Sequence, residues 1–295
     1  MPGTGSSNRG GEVPPLLLGR TVRLDLSRPQ IMAVLNVTPD SFSDGGQHLN
    51  LDAALIRVEQ MVLEGADLID IGGESTRPGA AAVPEALELE RVLPVIEAVR
   101  ARFDLPISVD TSKSAVARAA VAAGAEFVND ISGLSFDPQM AAVVAKSGAG
   151  LFLMHTPGRP DQMQQQTVYD DMMAEVIAVL RAALAQAAAA GIPPEKIAVD
   201  PGIGFGKSVQ GNLELLRRLG ELQVLGRPVL LGTSRKSFIG KVLQQVQPGE
   251  RLYGTLATVA LGVAAGARLF RVHDVRAARE TALMAWAVLH GIGTD

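Results

Sequence analysis

The chain holds 295 residues, 47% of them hydrophobic, with no cysteine and a formal net charge of −4. That length sits near the point where one hydrophobic core stops growing, and no Pro/Ser-rich linker or charge block divides the chain after residue 25, so a single domain is expected. Absence of cysteine excludes disulfides and thiolate metal sites and fits a reducing cytoplasm, while the weak negative charge excludes the basic footprint of a nucleic-acid binder.

Residues 1–25 read as a disordered or extended lead-in, rich at its start in Gly, Ser and Pro. Its Leu16–Leu18 run is too short for the apolar segment of a signal peptide. Beyond it, short apolar runs end on polar residues. Ile31–Leu35 ends on Asn36, Leu68–Ile71 runs towards Glu74, and Ile107–Val109 ends on Asp110. Phe127–Val128 ends on Asn129 and Asp130, Leu151–Met154 on His155, and Ile197–Val199 on Asp200. Val229–Leu231 leads to Ser234 and Arg235, and Leu269–Phe270 ends on Arg271. Helical stretches separate nearly all of them. Asn50 reads as the N-cap of a helix over Leu51–Leu63, and Thr111 or Ser112 as the cap of a helix that Gly124 stops. Tyr169–Ala190 is the longest helix expected, ending at Gly191.

Near-continuous apolar strands alternating with helices predict a buried parallel sheet. About eight such units predict a closed (β/α)8 TIM barrel over residues 26–295, with its chemistry at the C-terminal strand ends. The segments 38–50 and 72–84 are longer than ordinary βα loops and are read as functional lids. The longest uncharged stretch, Leu252–Ala267, falls short of a membrane span and reads as a packed barrel helix at a subunit interface; no membrane partner is expected.

The segment Pro201–Ser208 ends like a phosphate-binding P-loop, but Pro201 stands where that motif requires glycine, so a Walker A loop is rejected. Taken singly, Asp110, Asn129, Asp130 or Asp200 is an ordinary cap or turn former, Lys236 a surface lysine, and His155 or His273 a hydrogen-bonded structural residue. A barrel brings these strand ends to one mouth. Desolvating Asp110, Asp200 and Lys236 together is costly unless they serve one ligand.

The strings Asn36-Val-Thr-Pro-Asp-Ser-Phe-Ser-Asp-Gly-Gly46 and Gly72-Gly-Glu-Ser-Thr-Arg-Pro-Gly79 resemble the first two loops of the dihydropteroate synthase family. Ser108–Lys113, Val128–Gly133, Asp200–Lys207, Ser234–Ser237 and Arg271–Val275 are similar to its later blocks, in order. Thr156–Arg159 departs from the family's usual run, and the N-terminal extension matches nothing in it.

The resemblance implies condensation of 6-hydroxymethyl-7,8-dihydropterin diphosphate with 4-aminobenzoate, giving 7,8-dihydropteroate and pyrophosphate by a dissociative route. It implies that Asp110, Asn129, Asp200 and Lys236 hold the pterin edge, with Met154 and Phe205 against its rings. Arg271 and His273 would hold the diphosphate together with Mg²⁺, bound by Asn36, with Asp44 as a further candidate ligand. Asp110 would face the developing cation, which makes Asp110, Lys236, Arg271 and His273 the catalytic set. Thr76, Arg77, Arg235 and Ser237, with Phe42 and Pro78 on the two loops, would enclose the benzoate. The family's habit implies a homodimer. Two rivals, a pterin-dependent methyltransferase and a non-catalytic pterin-binding barrel, have no need of the anion site and benzoate lid together.

Overall fold

The computed structural model describes residues 15–38, 47–77, 79–165 and 167–291. A short antiparallel hairpin, β1 (Leu16–Leu18) and β2 (Arg23–Asp25), precedes an eight-stranded parallel sheet. The sheet comprises β3 (Gln30–Asn36), β4 (Leu68–Gly72), β5 (Ile107–Asp110), β6 (Phe127–Asp130), β7 (Gly150–Met154), β8 (Ile197–Asp200), β9 (Leu230–Leu231) and β10 (Leu269–Val272). β3 pairs with both β4 and β10, and the rest follow in sequence order. A parallel bridge between Val199 and Val229, with Val199 N donating to Pro228 O at 2.9 Å, joins β8 to β9 and closes the barrel.

The ring of helices comprises α1 (Gln47–Leu63), α2 (Glu85–Arg102), α3 (Ser114–Ala122), α4 (Met140–Ser147), α5 (Met172–Ala189), α6 (Val209–Arg217), α7 (Ser237–Leu243), α8 (Leu252–Ala264) and α9 (Val275–His290). Strands β4 to β8 are buried at every position because both faces are covered. Ile31, Ile69, Val109, Val128, Leu153, Val199 and Phe270 belong to the core that the helices share. Among the described residues α5 alone is long and apolar enough to cross a membrane, and its Met172, Met173, Val176, Leu180, Ala183 and Ala187 are buried in this protein core.

Three helix starts differ from expectation. Asn50 lies inside α1, which begins at Gln47. α3 begins at Ser114, and neither Thr111 nor Ser112 caps it: Asp137, from the next βα unit, accepts from Ser114 N at 2.8 Å. α5 starts at Met172 because Asp171 accepts from Ala174 N and fixes the first turn there.

The lead-in expected over residues 1–25 is corrected for its last ten residues: residues 16–25 form the hairpin. Leu17, Leu24 and Leu26 pack with Met32, Leu68, Phe127, Phe152, Ala198, Leu230 and Leu269 as one apolar plug at the barrel's N-terminal end. The Glu126 carboxylate accepts from Thr21 N and Thr21 Oγ1, both at 2.6 Å, and Lys196 Nζ donates to Gly19 O at 2.8 Å. Gly150 permits this close approach, since a Cβ there would lie 2.7 Å from Leu18 O and closer still to the Phe127 ring. The hairpin's three-residue strands carry little signal in isolation; the barrel floor orders them.

Candidate active site

Side chains two apart on a strand share a face. One step above the floor residues Met32, Leu68, Phe127, Phe152, Ala198, Leu230 and Leu269, the inward positions are therefore Val34, Asp70, Asn129, Met154, Asp200, Gly232 and Arg271. Asp110 joins them from the end of β5, paired in register with Asn129 and Gly72. Gly232 faces the same space, a Cβ there falling 3.8 Å from both Asp200 Oδ2 and Arg271 Cβ. The barrel thus changes within one layer from a hydrocarbon floor to a buried ring of charge.

Arg271 organises that ring. Its Nε donates to Asp70 Oδ2 at 2.6 Å and its Nη2 to Asp110 Oδ2 at 2.7 Å, while Asn129 Nδ2 donates to Asp70 Oδ2 at 3.0 Å. Asp70 is fully buried and Asp110 is 5% exposed, yet Asp70 Oδ1 and Asp110 Oδ1 have no hydrogen-bond partner. Unsatisfied buried acceptors are costly, so the pocket is chemically complementary to a ligand edge of N–H donors. Burial pushes the Asp110 carboxyl up to about 7, with Asp70 adding to the effect and Arg271 opposing it. Burial also raises Asp200, against the pull of Lys236, and Asp200 Oδ1 accepts from Gly202 N at 2.7 Å.

Lys236 crosses this pocket to donate to Ile203 O, with its Nζ 4.5 Å from the centre of the Phe205 ring. Burial brings its ammonium down to about 8, and Asp200 resists that shift. Lys236 is therefore charged at neutral pH and loses its proton just above it. If it holds the substrate as a cation, kcat/KM falls as pH rises through about 8, and Lys236→Arg removes that alkaline limb while lowering activity overall. Superimposable alkaline limbs in the two pH profiles would exclude Lys236 as the titrating group.

His273 stands beside this ring. Ser234 Oγ accepts from His273 N at 3.1 Å and lies 3.0 Å from His273 Nδ1. The hydroxyl hydrogen is then free for Nδ1, which leaves the proton on Nε2 as a donor. Burial, with Arg271 and Arg235 nearby, holds the imidazole down at about 4, so it acts as a neutral donor at physiological pH. Arg235, expected to meet substrate, is instead committed to Asp274 by two hydrogen bonds. Its backbone lies at φ 60°, stabilised by Thr255 Oγ1 accepting from Arg235 N and by Arg251 Nη1 donating to Arg235 O.

The remaining expected residues ring the mouth. Met154 is buried and Phe205 half-buried, Asn36 ends β3 opposite Gly72, Thr76 is half-buried, and Arg77 and Ser237 are exposed. Phe42, Asp44 and Pro78 lie outside the described residues. Among the described residues no cluster of three or more His, Asp or Glu side chains is arranged to hold a metal. An amide oxygen at Asn36 is a hard donor, and one such donor fits Mg²⁺, which keeps most of its shell as water and phosphate oxygen.

Two participants escape a reading of the sequence. Asp70 is hidden in the apolar run Leu68–Ile71, where the signal is its spacing of two from Leu68. Lys207 is the buried foot of the Asp200–Lys207 loop, donating to Gly202 O and Phe205 O at 2.9 Å and lying 3.0 Å from His155 Nδ1. Burial lowers Lys207 to about 7 and His155 to about 3. The lysine of the P-loop-like string therefore turns inward to brace its own loop. Gly202 is indispensable there: it sits at φ 68°, and a Cβ would collide with His155 O.

A barrel with an acidic, cation-bridged mouth defines a class of pterin-recognising enzymes, and the family model described as "Pterin binding enzyme" matches residues 32–273. The dihydropteroate synthase of Synechocystis sp. is 50% identical over 264 residues, covering 90% of this chain and 91% of its own. A Yersinia pestis dihydropteroate synthase, solved as a sulfonamide drug complex, superposes with a TM-score of 0.88 at 47% identity, over 93% of this chain and 99% of that one. The Xanthomonas albilineans enzyme in complex with 7,8-dihydropteroate superposes with a TM-score of 0.85 at 43% identity, over 95% and 100% of the two chains. The chain belongs to the pterin-binding enzymes and, within them, to the dihydropteroate synthase family.

Proposed function

We propose that this protein condenses 6-hydroxymethyl-7,8-dihydropterin diphosphate with 4-aminobenzoate, releasing pyrophosphate and forming 7,8-dihydropteroate. The observation that carries this reading is the Asp70–Arg271–Asp110 bridge with its two unpartnered carboxylate oxygens. They suit the amino and ring N–H groups of a pterin, which Asn129, Asp200 and Lys236 complete. The bound dihydropteroate of the Xanthomonas relative supports the same reading.

In the proposed route the exocyclic C–O bond breaks first and its electron pair leaves with the diphosphate. The dihydropterin ring delocalises the resulting cation, and the Asp110 carboxylate faces it. His273 Nε2–H donates to a departing phosphate oxygen, and Arg271 adds positive charge beside it. Mg²⁺, held through Asn36, would neutralise further charge on the leaving group. The neutral arylamine of 4-aminobenzoate then forms the C–N bond and releases its proton to solvent. Thr76 and Arg77 cover this step and exclude bulk water; Ser237 binds the benzoate carboxylate. A methyltransferase or a silent pterin-binding barrel leaves the His273–Ser234 pair and the Thr76–Arg77 loop without purpose.

7,8-Dihydropteroate should form, with one pyrophosphate released per product, when both substrates and Mg²⁺ are present, and a sulfonamide should inhibit competitively against 4-aminobenzoate. Absence of dihydropteroate under these conditions, or insensitivity to sulfonamide far above the KM for 4-aminobenzoate, would reject the assignment.

We also assign the enzyme to the cytoplasm, consistent with its cysteine-free chain, and to a homodimer. α8 and α9 leave an open apolar groove between them, lined by Ala260, Ala264, Met284, Ala285 and Val288, with Leu261 exposed on α8. Replacing Leu261 and Met284 by Asp should shift sedimentation from dimer to monomer; a monomeric parent would remove this interface.

A further inference from the structure

Resting on the synthase reading above, we infer that Lys113 is a positioning residue that ties the loop bearing Thr76 and Arg77 to the strand end bearing Asp110, and so sets the affinity for 4-aminobenzoate without touching either substrate. Lys113 lies three residues after Asp110, in the turn before α3. Its ammonium is held between Glu74, two residues before Thr76, and Glu88 on α2. One cation therefore joins two successive βα units, holding both the loop after β4 and the helix α2 that follows it to the end of β5.

The surrounding bonds show what this pairing controls. Glu74 Oε1 accepts from Val83 N at 3.0 Å, which clips the loop shut at its neck. Arg91 Nη1 donates to Gly73 O at 2.8 Å just below that clip. Farther along the loop, Gly79 N donates to Pro160 O at 2.9 Å on the segment after β7. Between neck and tip lies a cavity of about 90 Å³ whose walls include Glu74, Thr76, Asp110, Lys113, Phe136 and Arg159. Thr76 and Asp110 thus look into one space, and Lys113 forms the wall that fixes their separation.

Glu88 is wholly buried and its second oxygen has no partner. Burial raises its carboxyl, and Lys113, followed by Thr111, opposes that shift. A solvated surface pair would add little orientation, because its partners move freely. Here one end of the pair is immobilised in the core and the other is the neck of the lid.

A structural role and a positioning role separate in a double replacement. Lys113→Met leaves Glu88 as an unpaired buried carboxyl and should lower thermal stability. Adding Glu88→Met removes that carboxyl and should recover most of the loss, because the pair is replaced by apolar groups of similar volume. Glu74 remains untethered in both. In the double variant we expect the KM for 4-aminobenzoate to rise about tenfold or more, with kcat and the Kd for the pterin diphosphate within about threefold of the parent. Lys113→Arg should rescue most of the KM. Hydrogen exchange at the Val83 amide, read in the same proteins, should accelerate in the double variant. Recovered stability together with a parental KM and parental Val83 protection would overturn the inference. An inactive parent would refute the synthase reading instead, and the exchange at Val83 would still decide the tether.

Discussion

Asp110→Asn should lower turnover by about two to three orders of magnitude, the size of effect that follows loss of one preorganised charge facing a developing charge. The exchange keeps the shape of the side chain but removes the anion. Arg271 retains its bond to Asp70, so the barrel should still fold. The pH dependence of stability supplies a second readout. The native Asp110 carboxyl is raised to about 7 from 3.8, so between those values the folded protein holds a proton that the unfolded chain has released. Asp110 therefore contributes a loss of stability as pH rises from about 4 to 7, a contribution that the Asn variant lacks. Urea unfolding should show the variant gaining on the parent across the same interval. Activity within about threefold of the parent would remove Asp110 from the mechanism, and a stability difference flat in pH would show that its carboxyl is not raised.

Arg271→Ala should produce the largest loss of stability of any single change in the mouth. Removing one partner from a buried ion pair typically costs ~3–5 kcal/mol, because the carboxylate left behind has neither cation nor water. Here two carboxylates are left, Asp70 and Asp110, and protonating one relieves only part of the cost. Arg271→Lys restores the charge but not the planar fork that here donates from Nε to Asp70 and from Nη2 to Asp110. The residue that sequence marks as a diphosphate ligand alone also braces the pterin side of the pocket. Calorimetry should therefore find that Arg271→Ala weakens both a bare pterin and pyrophosphate, whereas His273→Ala weakens pyrophosphate alone. Undiminished pterin binding in the Arg271 variant would show that the Asp70 and Asp110 bridge is dispensable.

Most of the barrel is legible because each strand is short, apolar and stopped by a polar residue, a pattern with few other physical meanings. Asp110, Asn129 and Asp200 stand out for the same reason. Asp70 does not, because it falls inside its strand rather than at the end, where only alternation relative to Leu68 reveals that it faces inward. The pairing of Arg235 with Asp274 is not legible because adjacency to Lys236 says nothing of direction; its left-handed backbone turns the guanidinium to Asp274. Glu88 and Lys113 are illegible as a pair, since their contact is tertiary and each looks like an ordinary helix or turn residue alone. The hairpin of residues 16–25 escapes for a related reason: its order is conferred by Phe127, Glu126 and Lys196, far along the chain.

That hairpin governs traffic. With Leu17, Leu24 and Leu26 corking the lower opening, the barrel is a blind well rather than a tunnel. Everything enters and departs by one door. A pterin held by Asp70 and Asn129, in the layer directly above that floor, reaches them only through the mouth. The floor thereby fixes the direction of approach: whatever the charged layer binds leaves its far end towards solvent.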